Sequence, residues 1–201
     1  MLLHALIPAS RVNGPGLRAV VFFQGCSIGC PNCWNSSTHQ FHGTEITVDG
    51  VVQKVLRARQ EHILEGVTFS GGEPMQQAAS LLRLIQCLHQ QAPELSFGMF
   101  SGYAEHELAK GQYWIWGDGS SEQHRKHLWQ EIRACLDFAI LGRFNQAQPS
   151  HLPLRTSRNQ VLRLFSDRYI PANFSEELTE VCIKEDGRVE VTGFPTLGLP
   201  W

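Results

Sequence analysis

Three cysteines, Cys26, Cys30 and Cys33, give the sequence its clearest chemical signal, because they stand in the spacing C-x3-C-x2-C. Three thiolates so close together can surround one small inorganic centre. A structural zinc site takes four ligands, and His39 and His42 are near enough in the sequence to supply a fourth. A 4Fe–4S cluster held by three cysteines would leave one iron open to another ligand. The triplet favours such a cluster and leaves zinc as the alternative.

The other three cysteines are isolated in the sequence and are expected to pack as small apolar side chains: Cys87, Cys135 and Cys182. The first eight residues lack the basic segment of a secretory signal, and no stretch approaches the ~18 apolar residues of a membrane span. We therefore expect a cytoplasmic protein without membrane contact, in which thiols stay reduced.

Length and charge narrow the class of protein further. A chain of 201 residues is long enough for one domain with its own core. Lys and Arg total 17 and Asp and Glu total 19, so the net charge is −2. Nucleic-acid-binding proteins usually carry a basic excess, and we expect no nucleic-acid partner.

Apolar runs that end at glycine or serine predict five strands, separated by helical patterns. The predicted strands are 18–23, 66–70, 95–100, 137–141 and 160–165; the predicted helices are 48–61, 75–91 and a third from a Ser121 cap to Cys135. This alternation predicts an α/β fold with a mostly parallel sheet, and five parallel strands are fewer than the eight that close a barrel. A hairpin is predicted in the tail, at 181–184 and 188–191.

The ends of the predicted strands carry the polar and glycine-rich segments: Gly25-Cys26, Gly71-Gly72-Glu73, Ser101-Gly102-Tyr103 and Gly142-Arg143. In parallel sheets ligands collect at the carboxyl ends of the strands. The sequence therefore predicts one binding site at this edge of the sheet.

Residues 12–165 resemble the radical S-adenosylmethionine enzymes. The C-x3-C-x2-C spacing is the signature of that superfamily, and Ser70-Gly71-Gly72-Glu73-Pro74 stands where it places the motif for the amino group of S-adenosylmethionine. Asn13-Gly14-Pro15-Gly16-Leu17-Arg18 and the run from Gly25 to Asn35 are similar to glycyl-radical-enzyme activases, most of all to activases of anaerobic ribonucleotide reductase.

The resemblance implies a partial, open parallel β/α barrel that holds one 4Fe–4S cluster and S-adenosylmethionine. The open iron would hold the amino and carboxylate groups of S-adenosylmethionine, and one electron would release methionine and a 5′-deoxyadenosyl radical that takes a hydrogen atom from the substrate. No catalytic side chain is implied beyond the cluster and the bound cofactor. The cluster ligands would be Cys26, Cys30 and Cys33, and the implied cofactor-binding residues are Asn32, Trp34, Gly71, Gly72, Glu73, Ser101 and Arg143.

The activase resemblance also implies two protein partners: a larger glycyl radical enzyme that receives the radical, and a one-electron donor such as flavodoxin or ferredoxin. A radical S-adenosylmethionine enzyme with another protein, peptide or small-molecule substrate is the alternative, and a non-catalytic metal-binding scaffold is the third possibility. We place the core at 1–171 and an extension of the same domain at 172–201. Residues 111–127 look like an insertion.

Overall fold

The computed structural model describes residues 1–174, 179–183, 187 and 189–193. Over these residues the chain forms a seven-stranded sheet with the strand order β3-β1-β2-β4-β5-β6-β7. The strands are β1 (Leu2–Ser10), β2 (Arg18–Phe23), β3 (Thr44–Glu45), β4 (Gly66–Gly71), β5 (Ser96–Ser101), β6 (Phe138–Leu141) and β7 (Val161–Leu164). A separate pair, β8 (Thr179–Ile183) and β9 (Val189–Gly193), is antiparallel.

Within the described residues four α-helices accompany the sheet: α1 (Val48–Glu61), α2 (Ala78–Gln91), α3 (Glu105–Ala109) and α4 (Glu122–Cys135). Thr47 begins α1 by accepting from the Gly50 amide at 3.0 Å, and Ser121 caps α4 as predicted. The helix predicted at 75–91 starts as a 3-10 turn, Pro74–Gln77, before α2. No helix in the described ranges is long and apolar enough to cross a bilayer.

The central strands β2, β4, β5 and β6 are parallel, as the sequence predicts, and the fold is α/β. The prediction that the fifth strand is parallel was wrong, because β7 pairs antiparallel with β6. A strand parallel to β6 could follow it only after a crossover connection, which usually contains a helix, and residues 142–160 contain no helix. Strand β1, which the sequence analysis did not predict, pairs antiparallel with β2.

The core lies on both faces of the sheet, since successive strand residues point to opposite sides. In β6, Ala139 and Leu141 join the larger apolar cluster, which also contains the buried faces of α1, α2 and α4. Phe138 and Ile140 point the other way, into a smaller cluster completed by Leu154, Tyr169 and Phe174. Both faces of the central strands are therefore covered, which leaves the strand ends for binding.

Arg18 lies fully buried at the start of β2 and ties three strands together. It donates to the Thr68 hydroxyl at 2.7 Å, to the Ser96 hydroxyl at 2.8 Å and to the Val67 carbonyl at 2.9 Å, and its guanidinium lies over the Phe138 ring. Burial lowers the pKa of Arg18, and the nearby Tyr169 and Glu65 oppose that effect. These bonds fix the strand ends opposite to those that carry the glycine-rich segments.

The antiparallel pair β8 and β9 agrees with the hairpin predicted at 181–184 and 188–191, although residues 184–186 and 188 lie outside the described residues. The Asn13 side-chain amide donates to the Thr192 hydroxyl at 2.9 Å, and the Arg11 backbone amide donates to the Glu180 carboxylate at 3.2 Å. The tail strands therefore contact the segment between β1 and β2.

Candidate active site

An open cleft with a cavity volume of about 150 Å³ lies where the four parallel strands end. Its walls come from the segments that follow these strands and from the tail. The lining residues are Cys26, Ile28, Cys30, Cys33, Trp34, Asn35, Ser70, Gly71, Gly72, Glu73, Phe100, Ser101, Gly102, Ile140, Gly142, Phe144, Thr156, Gln160 and Gly193. The predicted collection of strand-end segments at one edge is therefore observed.

The cluster loop, residues 25–39, carries all three clustered thiols into this cleft. Its two ends are tied together, because the Gly25 amide donates to the Thr38 carbonyl at 2.7 Å and the Cys26 amide donates to the His39 carbonyl at 3.0 Å. Within the loop the Cys33 amide donates to the Cys30 carbonyl at 3.2 Å. These backbone hydrogen bonds close the loop and hold its three thiols on the side that faces the cleft.

Burial is the main factor that raises the pKa of the Cys26 thiol to about 11, and the charge of Glu73 raises it further. Burial also raises the pKa of Cys33. Both thiols are therefore protonated at neutral pH unless a metal ion displaces the proton, and metal binding at such a site releases protons.

The donor set and the backbone fit a cluster with an open iron better than a zinc ion. Among the described residues, no three His, Cys, Asp or Glu side chains converge closely enough to hold a single ion. A cubane binds each thiolate through a different iron, so its ligands stand further apart than the ligands of one ion. The zinc alternative, which needs His39 or His42, has no support from this geometry.

Gly71 and Gly72 bring the end of β4 against the end of β2. The Gly72 amide donates to the Phe23 carbonyl at 2.8 Å, and a side chain at Gly72 would place its Cβ 2.3 Å from the Gly25 carbonyl oxygen. Gly71 adopts a φ of +102°, which favours glycine. The missing side chains let this turn pack directly against Phe23 and Gly25, and the two glycines form a wall of the cleft, here called the cradle.

Glu73 is 1% exposed, and three donors fix its carboxylate between the ends of β4 and β5. The Met75 amide donates to it at 2.9 Å, the Ser101 hydroxyl at 2.9 Å and the Gly102 amide at 2.7 Å. A carboxylate has about four lone-pair positions, so one acceptor position remains for a group in the cleft. Ser101, predicted as a binding residue, therefore contacts Glu73 and orients it.

We expect Glu73 to make the free energy of unfolding pH-dependent. Burial raises its pKa from the ordinary 4.5 to about 7 despite the three hydrogen bonds. Between these two pKa values the folded chain holds a proton that the unfolded chain has lost. The contribution of the protonated Glu73 carboxyl to the free energy of unfolding is therefore fully present below pH 4.5 and is lost as the pH rises through 7. Denaturant titrations of the cluster-free protein at pH 5 and pH 8 measure it.

In Glu73→Gln, which is neutral throughout, that decline with pH should be absent. The free energy of unfolding of the variant, relative to that of the wild type, should therefore be higher at pH 8 than at pH 5. If the variant and the wild type differ in this free energy by the same amount at both pH values, the raised pKa does not belong to Glu73.

Two predicted binding residues lie outside the cleft lining. Arg143 forms a bidentate ion pair with Glu107 of α3, at 2.6 and 2.9 Å, and its guanidinium lies over the Tyr103 ring. Asn32, which has a φ of +54°, is exposed and donates to Gln146. Neither Arg143 nor Asn32 is among the residues that line the cleft, and their contacts with a ligand stay predictions.

Trp34 does line the cleft, with 39% of its surface exposed, and it packs edge-on against Phe144 with ring centroids 6.1 Å apart. Sequence analysis gave no site role to Phe144, although it follows the predicted strand-end segment Gly142-Arg143. It also gave none to Gln160, whose side chain bonds the Gly142 carbonyl and the Thr156 and Ser157 amides. The aromatic pair forms an apolar edge of the cleft, suited to a flat ligand group.

Comparison with known proteins identifies a family described as a 4Fe-4S single cluster domain, which matches residues 12–163. The matched part includes the cluster loop and the Gly71-Gly72-Glu73 turn.

Three relatives illustrate the similarity. An anaerobic ribonucleoside-triphosphate reductase-activating protein of Salmonella typhi is 30% identical over 116 residues, 56% of this chain and 75% of that protein. The protein of the same name in Vibrio cholerae serotype O1 is 28% identical over 169 residues, 81% of this chain and 97% of the relative. A pyruvate formate-lyase-activating enzyme of Clostridium pasteurianum is 37% identical over 92 residues, 44% of this chain and 39% of that enzyme.

Proposed function

Since the chain belongs to the 4Fe-4S single cluster domain family, with anaerobic ribonucleoside-triphosphate reductase-activating proteins among its relatives, we propose that it is a radical S-adenosylmethionine activase. Its reaction installs a glycyl radical on a partner enzyme such as anaerobic ribonucleotide reductase. The observation that carries this proposal is the convergence of three thiols and the Gly71-Gly72-Glu73 turn on one cleft.

Cys26, Cys30 and Cys33 hold the 4Fe–4S cluster, because these thiols share the loop that lines the cleft. When bound, the cluster supplies one electron for reductive cleavage of S-adenosylmethionine to methionine and a 5′-deoxyadenosyl radical. The protein's contribution is to position the reactants and exclude water around them.

The chain's own groups bind and orient S-adenosylmethionine. The cradle glycines Gly71 and Gly72 line the cleft beside the cluster loop and lie against the amino-acid part of the cofactor. The remaining acceptor position of Glu73 takes a hydrogen bond from its amino group, and such charge-assisted bonds are among the strong ones. Trp34 and Phe144 cover a flat ring at the apolar edge of the cleft.

A polypeptide loop is the substrate that suits this cleft. Over the described residues the sheet runs from β3 to β7 without closing, and we propose that it curves as a partial barrel of the radical S-adenosylmethionine type. A partial barrel leaves one side of the cleft open to a backbone segment. Gly193 of β9 lines the cleft and β8–β9 contacts Arg11 and Asn13, which supports residues 172–201 as an extension of the same domain. The reducing electron comes from a protein such as flavodoxin or ferredoxin.

Cleavage of S-adenosylmethionine tests this proposal without a partner. Under anaerobic conditions and with a strong one-electron reductant, the reconstituted protein should form 5′-deoxyadenosine and methionine. In Gly72→Ala the new Cβ would lie 2.3 Å from the Gly25 carbonyl oxygen and push the start of the cluster loop away from the turn. The cluster and the cofactor would then be misplaced, so the rate should fall about 10²-fold.

Gly119→Ala is the matched control, since nothing lies within 4 Å of a Cβ at that exposed glycine. It should cleave S-adenosylmethionine at the wild-type rate. Cleavage by Gly72→Ala at the wild-type rate would contradict the cradle assignment, and a wild-type protein that forms no 5′-deoxyadenosine would contradict the proposed chemistry.

A further inference from the structure

Gln76, in the turn that follows Glu73, has a fully buried side chain that makes three of the four hydrogen bonds open to its amide, with both N–H donors used. Its Oε1 accepts from the Ser27 amide at 2.9 Å, and its Nε2 donates to the Ser27 hydroxyl at 2.7 Å and to the Tyr103 hydroxyl at 2.8 Å. One side chain therefore holds both the backbone and the side chain of the residue next to Cys26.

The same residue connects the cluster loop with the segment before α4. The Gln76 carbonyl accepts from the Trp116 amide at 2.8 Å, and the Tyr103 hydroxyl accepts from the Trp114 amide at 3.2 Å. Trp114 and Trp116 both contact Phe41, which packs against Gly25 at the start of the cluster loop. Gln76 thus lies at the junction of the loop, the β5 end and the 111–121 segment.

We propose that Gln76 is a positioning residue for the iron–sulfur cluster, and that it fixes the cluster loop at Ser27 and thereby the orientation and retention of the cluster in the cleft. This role rests on the proposed function, because it requires that Cys26 and its two neighbours hold the cluster. Residues that orient metal ligands commonly affect metal affinity by 10–100-fold without touching the metal. Neither Gln76 nor Ser27 lines the cleft, so the role is positional rather than catalytic.

Gln77 provides a matched control in the next position. It is also buried, and its side chain also makes three hydrogen bonds: it accepts from the Leu2 amide at 2.8 Å and donates to the Leu2 carbonyl at 3.1 Å and the Gln24 carbonyl at 2.9 Å. These bonds tie the turn to β1 and to Gln24, the residue before the cluster loop, and none of them reaches Ser27 or a cysteine. Replacing either glutamine with methionine removes the same three side-chain hydrogen bonds in number and kind and leaves the side-chain volume nearly constant.

The experiment compares Gln76→Met and Gln77→Met by two measurements. In the cluster-free chain, hydrogen exchange at the Ser27 amide should become about tenfold faster in Gln76→Met, the loss expected for one hydrogen bond. In the reconstituted protein, transfer of iron to a chelator should be at least about tenfold faster in Gln76→Met. Gln77→Met should leave both rates as in the wild type. The reduced-cluster electron paramagnetic resonance spectrum should change in Gln76→Met alone.

The outcomes separate this role from the proposed function. A wild-type chain that takes up no cluster overturns the proposed function together with the role of Gln76. If the wild-type chain takes up a cluster, but the two methionine variants have equal rates of hydrogen exchange at Ser27 and of iron transfer to the chelator, only the role of Gln76 is overturned. Should Gln76→Met not fold, Ser27→Ala removes the hydroxyl partner at an exposed position, and iron transfer at the wild-type rate in that variant overturns the role.

Discussion

Replacing Cys26, Cys30 or Cys33 singly with alanine is expected to abolish the cluster in the anaerobically reconstituted protein. The three thiols lie on one loop with both ends tied by backbone hydrogen bonds, and all line the same cleft. Among the described residues no other cysteine lines the cleft, so no further thiol is at hand to replace a lost ligand. Iron and sulfide analysis, with the visible spectrum of the cluster, measures the loss.

Cys87 and Cys135 are the controls for this prediction, since both are half-buried free thiols packed against the apolar core and neither lines the cleft. Alanine at either position should leave the iron and sulfide content unchanged and cost only packing energy, about 1 kcal/mol as for most point substitutions. Iron and sulfide that persist when all three of the loop cysteines are replaced would contradict the assignment. Stoichiometric zinc in anaerobically purified wild-type protein would contradict it as well.

Strong local patterns explain why much of the fold could be predicted from the sequence. The β2 run Arg18–Phe23 is almost continuously apolar and ends at Gln24-Gly25, and the α1 cap at Thr47 is a local signal that needs no tertiary information. Strand direction is different, because the sequence of one strand does not encode it. The antiparallel return of β7 could be inferred from residues 142–160, which lack a helical pattern.

The site shows the same division between local and long-range information. The cysteine spacing and Gly71-Gly72-Glu73 are contiguous motifs, so their side chains could be assigned to one cleft from the order of the strands. Arg143 is also next to a strand end, yet its guanidinium is held by Glu107 on α3, a helix of five residues that the sequence analysis did not predict. Gln76 carries no motif signal, because what distinguishes it is the set of partners that the fold brings to it.

The prediction with the widest consequence is that hydrogen transfer requires a protein partner. Mixed with reductant, S-adenosylmethionine and a glycyl radical enzyme, the protein should generate a glycyl radical signal in the electron paramagnetic resonance spectrum. Deuterium placed at the Cα of the partner's target glycine should appear in 5′-deoxyadenosine, because the C–D bond breaks as the new bond to the 5′ carbon forms. Mass spectrometry of 5′-deoxyadenosine measures the transfer.

The shape of the cleft is the reason to expect a polypeptide rather than a metabolite. Small-molecule sites usually bury most of the ligand surface in a concave pocket. Here the sheet order does not close within the described residues, and the apolar edge at Trp34 remains 39% exposed, so the cleft is open where a loop of another protein can enter. A partner whose target glycine is replaced by alanine should give neither the glycyl radical nor deuterium transfer. Rapid turnover of a free metabolite without a partner would contradict the activase assignment. It would not contradict the cleavage of S-adenosylmethionine at the cluster. That step depends on the cluster loop and the Gly71-Gly72-Glu73 turn, and not on which substrate enters the open side of the cleft.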